Sequence, residues 1–407
     1  MQDNKIEKKN LEWLLSQPRD MQLELFSNLV EVMKLYYNQL MEDEIRSKAG
    51  ERYSRSGEFS RWSSNPGSIR IGSEKVKVDV PRLFNKLTGK TETPEYYEKL
   101  HSIEMPSEEV LKKIILGLSQ CDYEKVTRSL TDSFGLSQSS ISRRFIEESS
   151  KALEEFEKRD LSNYEFLAIV IDGKYLSRDN VVIALGVTSM GVKVPLGFVQ
   201  TTTENSTAVK GLLQGLIERG FSFTGGLLAL LDGSKGLRKA VDEVFGEFVI
   251  VQRCQWHKRE NVISYLSEKE KPVFKGKLQR AYSEPLYEEA KIRLFEIRDE
   301  LKKINRSAAN SLEEGLEETL TMHRLGLVEE LGRSFTTTNM IESLNSQLAR
   351  YLRNVKNWNN SEMKSRWVAA ALLEIETRLR RVNNYNKLYL LKSAIKAELN
   401  LDQQKVA

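Results

Sequence analysis

The chain is poor in the residues that staple small secreted folds and build most metal centres. Its 407 residues include two cysteines, Cys121 and Cys254, and three histidines. Two cysteines exclude a disulfide framework and fit a reducing compartment. Cys254 and His257 lie three residues apart, but Cys121, His101 and His323 stand at no partner spacing, which argues against a structural zinc site. No uninterrupted apolar stretch approaches the ~20 residues needed to span a bilayer. The first residues, MQDNKIEKKN, hold no apolar signal core. A cytoplasmic protein with no membrane segment is therefore expected. Low-complexity tracts and fixed-period repeats are also missing, which excludes solenoid and array architectures.

Net charge is low as well, at +4, and does not by itself announce a nucleic-acid partner. Local charge is more telling. Residues 253–280 and 344–381 each carry eight Lys/Arg against three Asp/Glu, and residues 51–82 carry seven against four. Each stretch alone reads equally well as a solvated face; together they could line a phosphate-binding surface.

With 40% apolar and 29% charged residues, the chain is globular and long enough for two or three domains. Residues 22–45 place Leu25, Leu29, Val32, Met33, Tyr36, Tyr37 and Leu40 at helical spacing, predicting an amphipathic helix that packs within its domain or forms a dimer contact. Residues 51–67 are polar and read as loop. SIRIGSEKVKVDVP then alternates, predicting a β-hairpin with Arg70, Lys75 and Lys77 outward. Residues 106–156 are helical. Within them, a helix through Tyr123, Val126 and Leu130, a Phe-Gly-Leu-Ser turn and a second helix from about Ser139 form a helix-turn-helix pattern. Ser139, Ser140, Arg143 and Arg144 are its groove-facing candidates; two packed helices with no DNA role give the same pattern.

The centre is the most informative region. LAIVIDGKYL, NVVIALGVT and VKVPLGFVQT read as three strands. A helix follows from an Asn-Ser cap to Gly220, then the strand LLALLD, a helix in SKGLRKAVDEVF, and the strand EFVIVQRC. The order β-β-β-α-β-α-β predicts a mixed sheet covered by helices, the order of the ribonuclease-H-like fold. Asp172 and Asp232 close the first and fourth strands. Residues 257–330 are charged and helix-forming, predicting a helical insertion. In SFTTTNMIESLNSQLARYLRN, Thr338 or Asn339 caps a helix with Glu342 in its first turn and Ile341, Leu344 and Leu348 on its apolar stripe.

A carboxylate at the end of a core strand is costly to bury unless something pairs with it. Two on neighbouring strands, with a third from a later helix, can hold two Mg²⁺ ions for phosphodiester chemistry, with Mn²⁺ as a substitute. Each carboxylate has a plainer reading: Asp-Gly is a common turn, and Glu342 complements a helix dipole. The polar cluster Thr337, Thr338, Asn339, Ser343 and Asn345 favours a site. Arg253, Cys254 and His257 lie beside it, orienting the carboxylates or contacting DNA.

VIDGKYL, LLDGSKGLRKAV, VQRCQWHKREN and TTNMIESLN resemble the signature blocks of the mutator-type transposases of prokaryotic insertion sequences. GSIRIGSEKVKVDVPR and LGLSQCDYEKVTRSLTDSFGLSQSSISRRF resemble the family's N-terminal half. The resemblance implies a DDE enzyme with Asp172, Asp232 and Glu342 as catalytic, Mg²⁺-binding triad, and a Cys-x-x-His motif at Cys254 and His257. It also implies strand cleavage and transfer at terminal inverted repeats, acting on double-stranded DNA, with a homodimer expected on the DNA. Arg350 and Arg353 in the basic tail are further DNA-contact candidates. The expected organisation is a helix and hairpin region over 1–105 and a helix-turn-helix region over 106–158. A catalytic core over 159–262, a helical insertion over 263–332 and a core completion over 333–407 follow. A structure-selective nuclease without strand transfer and an inert DNA-binding regulator are the competing functions.

Overall fold

A computed structural model of the chain describes residues 11–19, 22, 29–52, 57–71, 74–102, 111–112, 114–116, 138–176, 179–201, 205–353, 355, 358 and 360–400. The chain divides into two compact units. One comprises Met1–Ile114 and Asp122–Phe145, the other Ile115–Cys121 and Ile146–Ala407.

The first unit holds helices α1 (Leu11–Leu15) and α2 (Leu29–Ala49), strands β1 (Phe59–Ile71), β2 (Glu74–Asn85) and β3 (Lys90–Glu92), and helix α3 (Glu95–Ser102). The hairpin forms with Ile69 opposite Val76 and Arg70 opposite Lys75. Lys75 and Lys77 are exposed and Arg70 is half-buried. Two sequence expectations need correction. The strand reaches back to Phe59, through residues read as loop, because β2 continues to Asn85 and pairs with them across a register shift between Arg61 and Ser64. The exposed polar side chains of Ser63–Pro66 hid this pairing, since backbone hydrogen bonds rather than burial hold it. In α2, Met33 and Tyr36 are exposed (37% and 44%), and the buried stripe is Tyr37, Met41 and Ile45. Tyr37 and Met41 pack on Ile69, Ile71 and Val76.

Helix α4 (Gln138–Lys158) begins one residue before the expected second helix of the helix-turn-helix pattern. The first helix of that pattern and its turn, within 117–137, lie outside the described residues.

In the second unit, strands β4 (Phe166–Leu176), β5 (Asp179–Thr188), β6 (Lys193–Thr201), β7 (Leu227–Leu231) and β8 (Val249–Arg253) form one sheet in the order β6-β5-β4-β7-β8. The first three are antiparallel; β4, β7 and β8 are parallel. Helix α5 (Ser206–Glu218) is capped by Asn205 and α6 (Lys235–Phe245) by Ser234. Gly220, at φ +85°, ends the first of these in a conformation that side chains disfavour. Leu167–Ile171 are at most 1% exposed, so β4 is buried on both faces, as its unbroken apolar run requires. Each of its Leu, Ile and Val side chains contributes roughly 1.5–3 kcal/mol through burial.

Between β8 and Phe335 run seven helices: α7 (Gln255–Ser264), α8 (Lys271–Tyr282), α9 (Tyr287–Ile304), α10 (Arg306–Glu313), α11 (Leu316–Thr319), α12 (Thr321–Arg324) and α13 (Val328–Phe335). From Val262 to Leu320 they share an apolar cluster of their own, separate from that of the sheet. The buried amide of Gln252 joins the two, donating to the Thr319 carbonyl at 2.9 Å and accepting from the Met322 N–H at 2.8 Å. Helices α14 (Asn339–Leu352), α15 (Ser361–Glu376) and α16 (Leu388–Glu398) complete the unit. Helix α14 packs on β4 and α15 on β6. No helix among the described residues is long and apolar enough to cross a membrane.

Candidate active site

The sheet brings the two aspartates together by register. Ile171 pairs with Leu231 across the parallel β4/β7 ladder, so Asp172 and Asp232, each one residue on, lie on adjacent strands about 5 Å apart. Alternation sets their direction. Ile169, Ile171, Ala229 and Leu231 belong to the cluster under α5 and α6. Period 2 therefore turns Asp172 and Asp232 to the opposite face, where α14 lies. Asp172 is not at a strand end, as expected, but inside β4, with Gly173 paired to Val182. Asp232 does end its strand. Gly233 turns at φ +107°, and Asp232 Oδ1 accepts from the Ser234 N–H at 2.8 Å.

Helix α14 supplies the rest. Its buried residues Ile341, Leu344 and Leu348 seat it, while Asn339, Ser343, Ser346 and Arg350 line its exposed side. Glu342 and Asn345 lie on the inner side, one turn apart. Asn345 Nδ2 donates to Asp172 Oδ2 at 2.9 Å. Thr338 precedes the helix but does not cap it with its side chain. Its hydroxyl, fully buried, donates to Glu342 Oε1 at 2.9 Å and lies 3.3 Å from both Cys254 Sγ and His257 Nδ1. Cys254 is fixed by its own N–H, which donates to the Leu231 carbonyl at 2.8 Å and extends the β7/β8 ladder. Of the polar cluster expected around Glu342, Thr338 and Asn345 are engaged. Asn339 and Ser343 are turned to the exposed side, because a 3.6-residue repeat cannot bring all five inward. The sequence marks Thr338 as a cap; its junction role rests on contacts 81 and 84 residues away in sequence, which no local signal carries.

The electrostatics bind these residues together. Burial, then the charges of Asp232 and Glu342, push the Asp172 carboxyl up to about 6, against an opposing pull from His257. Burial alone would lower His257, but the hydrogen bond and charge of Cys254, with Asp172 and Glu342, raise it to about 9. Burial alone would raise the Cys254 thiol; hydrogen bonds from His257 and Thr338 outweigh it and leave the thiol below its usual range. Among the described residues, no Lys or Arg forms an ion pair with Asp172, Asp232 or Glu342. The positive charge that acts on these carboxylates is that of His257.

Arg253 braces the site from below. It is 7% exposed, and its Nη1 donates to the Glu314 carbonyl at 3.0 Å. A Cβ at Gly233 or at Gly315, both at positive φ, would overlap its guanidinium. The guanidinium is thus sandwiched between the turn after Asp232 and the α10/α11 turn. Lys258, 1% exposed, also donates to Glu314's carbonyl and, at 2.6 Å, to that of Ser311. Burial, then the neighbouring Arg253, lowers its pKa to about 8.

Ser139 and Arg143 are exposed on α4 and Arg144 is half-buried, while the side chain of Ser140 lies outside the described residues. Arg350 and Arg353 are exposed on α14 and its end. With Leu176, Ser346 and Trp358 they line a groove of about 600 Å³.

The fold and site define an α/β protein with two aspartates on adjacent strands of a mixed sheet and a helix glutamate whose charge acts on one of them. Comparison with known proteins places it more closely. The chain belongs to the mutator family of transposases, described as "Transposase, Mutator family", which it matches over residues 6–381. It is 26% identical over 364 residues to a transposase for insertion sequence element IS256 in transposon Tn4001 from Staphylococcus aureus, covering 84% of this chain and 89% of that one. It is 27% identical over 347 residues to the transposase of element IS905 from Lactococcus lactis, covering 81% and 84%. The transposase of ISRM5 from Rhizobium meliloti is 26% identical over 383 residues, covering 91% and 92%.

Proposed function

We propose that this transposase cuts and joins DNA at the terminal inverted repeats of its own insertion sequence, using Asp172, Asp232 and Glu342 as a carboxylate triad on a ribonuclease-H-like core. The observation that carries the reading is the shared face. Strand register and sheet alternation turn Asp172 and Asp232 toward α14, and the charges of Asp232 and Glu342 act on Asp172. The sheet order and its mix of antiparallel and parallel pairs support the core assignment.

Asp172, Asp232 and Glu342 would hold the Mg²⁺ ions. When bound, such ions supply charge stabilisation at phosphorus and a nucleophile from water or a DNA 3′-hydroxyl at neutral pH. The chain's own work is placement. Asn345 holds the Asp172 carboxylate by one oxygen. Thr338 holds Glu342 by Oε1, which would orient the carboxylate for a cation. Arg253 fixes the Asp232 turn. The basic groove of Arg350 and Arg353 is suited to the phosphate backbone, and exposed Arg143 on α4 to end recognition. The helices with their own core, from 262 to 320, act as an inserted helical domain.

Incubating the protein with its element ends and Mg²⁺, then mapping the broken strands, tests the reading. Cleavage at the repeat termini and joined products are expected, and both should disappear in Glu342→Gln. Full activity in Glu342→Gln would remove Glu342 from the triad. Glu362, an alternative on α15, is largely exposed and paired with Arg366 on its own helix.

A further inference from the structure

We propose that Cys254, His257 and Glu342 form a second cation site, selective for a thiophilic divalent ion of the zinc type. Its occupancy would compete with the use of Glu342 beside Asp172 and Asp232. The competition rests on the reading of Glu342 given above; the site itself does not.

The sequence argued against zinc because Cys254 and His257 have no Cys or His partner. The fold supplies one of a different kind. The ligand atoms of Cys254, His257 and Glu342 all lie within 4.8 Å of one another. They come from the end of β8, the first turn of α7 and the first turn of α14. The Thr338 hydroxyl shows that they converge, since one oxygen lies 3.3 Å from Sγ, 3.3 Å from Nδ1 and 2.9 Å from Oε1. Sulfur, imidazole nitrogen and carboxylate oxygen are the donors of open zinc sites, with a fourth position left for water. A thiolate selects against Mg²⁺ and in favour of zinc, so this is not a position for the hard ion.

The closure required is small. Zinc bonds of 2.0–2.3 Å put tetrahedral donors roughly 3.5 Å apart. Backbone hydrogen bonds hold Cys254 and the start of α7, to the Leu231 carbonyl at 2.8 Å and the Thr336 carbonyl at 3.0 Å. The adjustment therefore falls on the Glu342 side chain and the Thr338 rotamer. Glu342 moves toward the sulfur as the hydroxyl turns aside. A dication held there takes up the charge of Glu342 and repels a hard cation at Asp172, so zinc should inhibit Mg²⁺-dependent cleavage.

Cobalt(II) titration of the full chain without DNA or Mg²⁺ tests the site. A thiolate-to-cobalt absorption band should grow to saturation at one equivalent and persist in Asp232→Asn. It should vanish in Cys254→Ser and need at least about tenfold more cobalt in His257→Asn, with melting curves confirming that both variants fold. Absence of the band in the wild type, or its survival in Cys254→Ser with Cys121 as its source, overturns the proposal. Micromolar zinc should then inhibit wild-type cleavage of element ends reversibly, with recovery on chelation. A zinc-loaded protein that cuts at the full rate would overturn the competition. A cobalt band in a protein that never cuts its ends would instead count against the proposed function alone.

Discussion

The Asn345 amide donates to the Asp172 carboxylate at 2.9 Å, and its own Oδ1 is buried without a hydrogen-bond partner. A buried acceptor left unmade is costly, so the Asn345 side chain is held as a donor to a carboxylate. The pair ties α14, and with it Glu342, to the central strand. Its energetics lead to the first prediction.

Asp172→Asn should abolish cleavage and leave the fold intact. Loss of one ligand charge removes several kcal/mol of transition-state stabilisation, about 10³-fold or more in rate. The new amide does not strand Asn345, which can flip and offer its spare Oδ1 to the N–H₂ group introduced on β4. Circular dichroism should be unchanged while strand cleavage falls to background. Cleavage at the wild-type rate would remove Asp172 from the site.

Replacing Asn345 by Ala tests positioning rather than ligation. Its amide reaches the Asp172 carboxylate, so its loss should weaken Mn²⁺ binding by roughly 10–100-fold, as for other groups that orient a metal ligand. Calorimetric titration with Mn²⁺ is the check, and unchanged affinity would make Asn345 a packing residue only.

Stability should depend on pH in a direction set by Asp172. Its folded pKa, about 6, exceeds its usual value of 3.8. The native state therefore binds more protons than the unfolded chain between these values, and stability falls as pH rises through that window. At pH 7 without divalent ions the ionised group costs about 3 kcal/mol. Asp172→Asn should then be more stable than the wild type at pH 7, lose that advantage below about pH 4, and lose it also when Mg²⁺ is added. Urea unfolding across pH measures all three.

Much of this was legible in the sequence, and what was not has a physical reason. The unbroken apolar runs of β4 and β7 announced strands buried on both faces. Asn205 announced a helix start by its cap chemistry. Asp172, Asp232 and Glu342 could be picked out as candidates because each stands at the polar end of an apolar run or in the first turn of a helix. The Thr338 junction, the Asn345 bond and the Arg253 brace could not, because each joins segments 60 to 170 or so residues apart through single side chains. The polar half of β1 was missed because pairing without burial leaves no hydrophobic period to read.

Double substitution of Arg143 and Arg144 by Ala should weaken binding to element ends more than binding to random DNA, with exposed Arg143 accounting for most of the effect. Competition gel shifts decide it. Equal losses on both DNAs would mean contact with phosphates alone.

Gly315→Ala should act on Asp232 from across the chain. Gly315 and Gly326 share nearly the same left-handed φ, +65° and +66°, so an Ala costs about 1–2 kcal/mol of backbone strain at either. Only at Gly315 does the new methyl meet the Arg253 guanidinium; at Gly326 it meets open space. Arg253 is packed against Gly233 on its other side, so a guanidinium pushed from Gly315 presses on that turn. Gly326→Ala should therefore lower unfolding stability by the strain alone and leave Mn²⁺ affinity unchanged. Gly315→Ala should lose more stability and also weaken Mn²⁺ binding, because a displaced Arg253 moves the turn that carries Asp232. Shortening the brace in Arg253→Lys, combined with Gly315→Ala, should recover part of the affinity. Equal behaviour of the two glycine variants in both measurements would show that Arg253 does not transmit the position of the helical segment to Asp232.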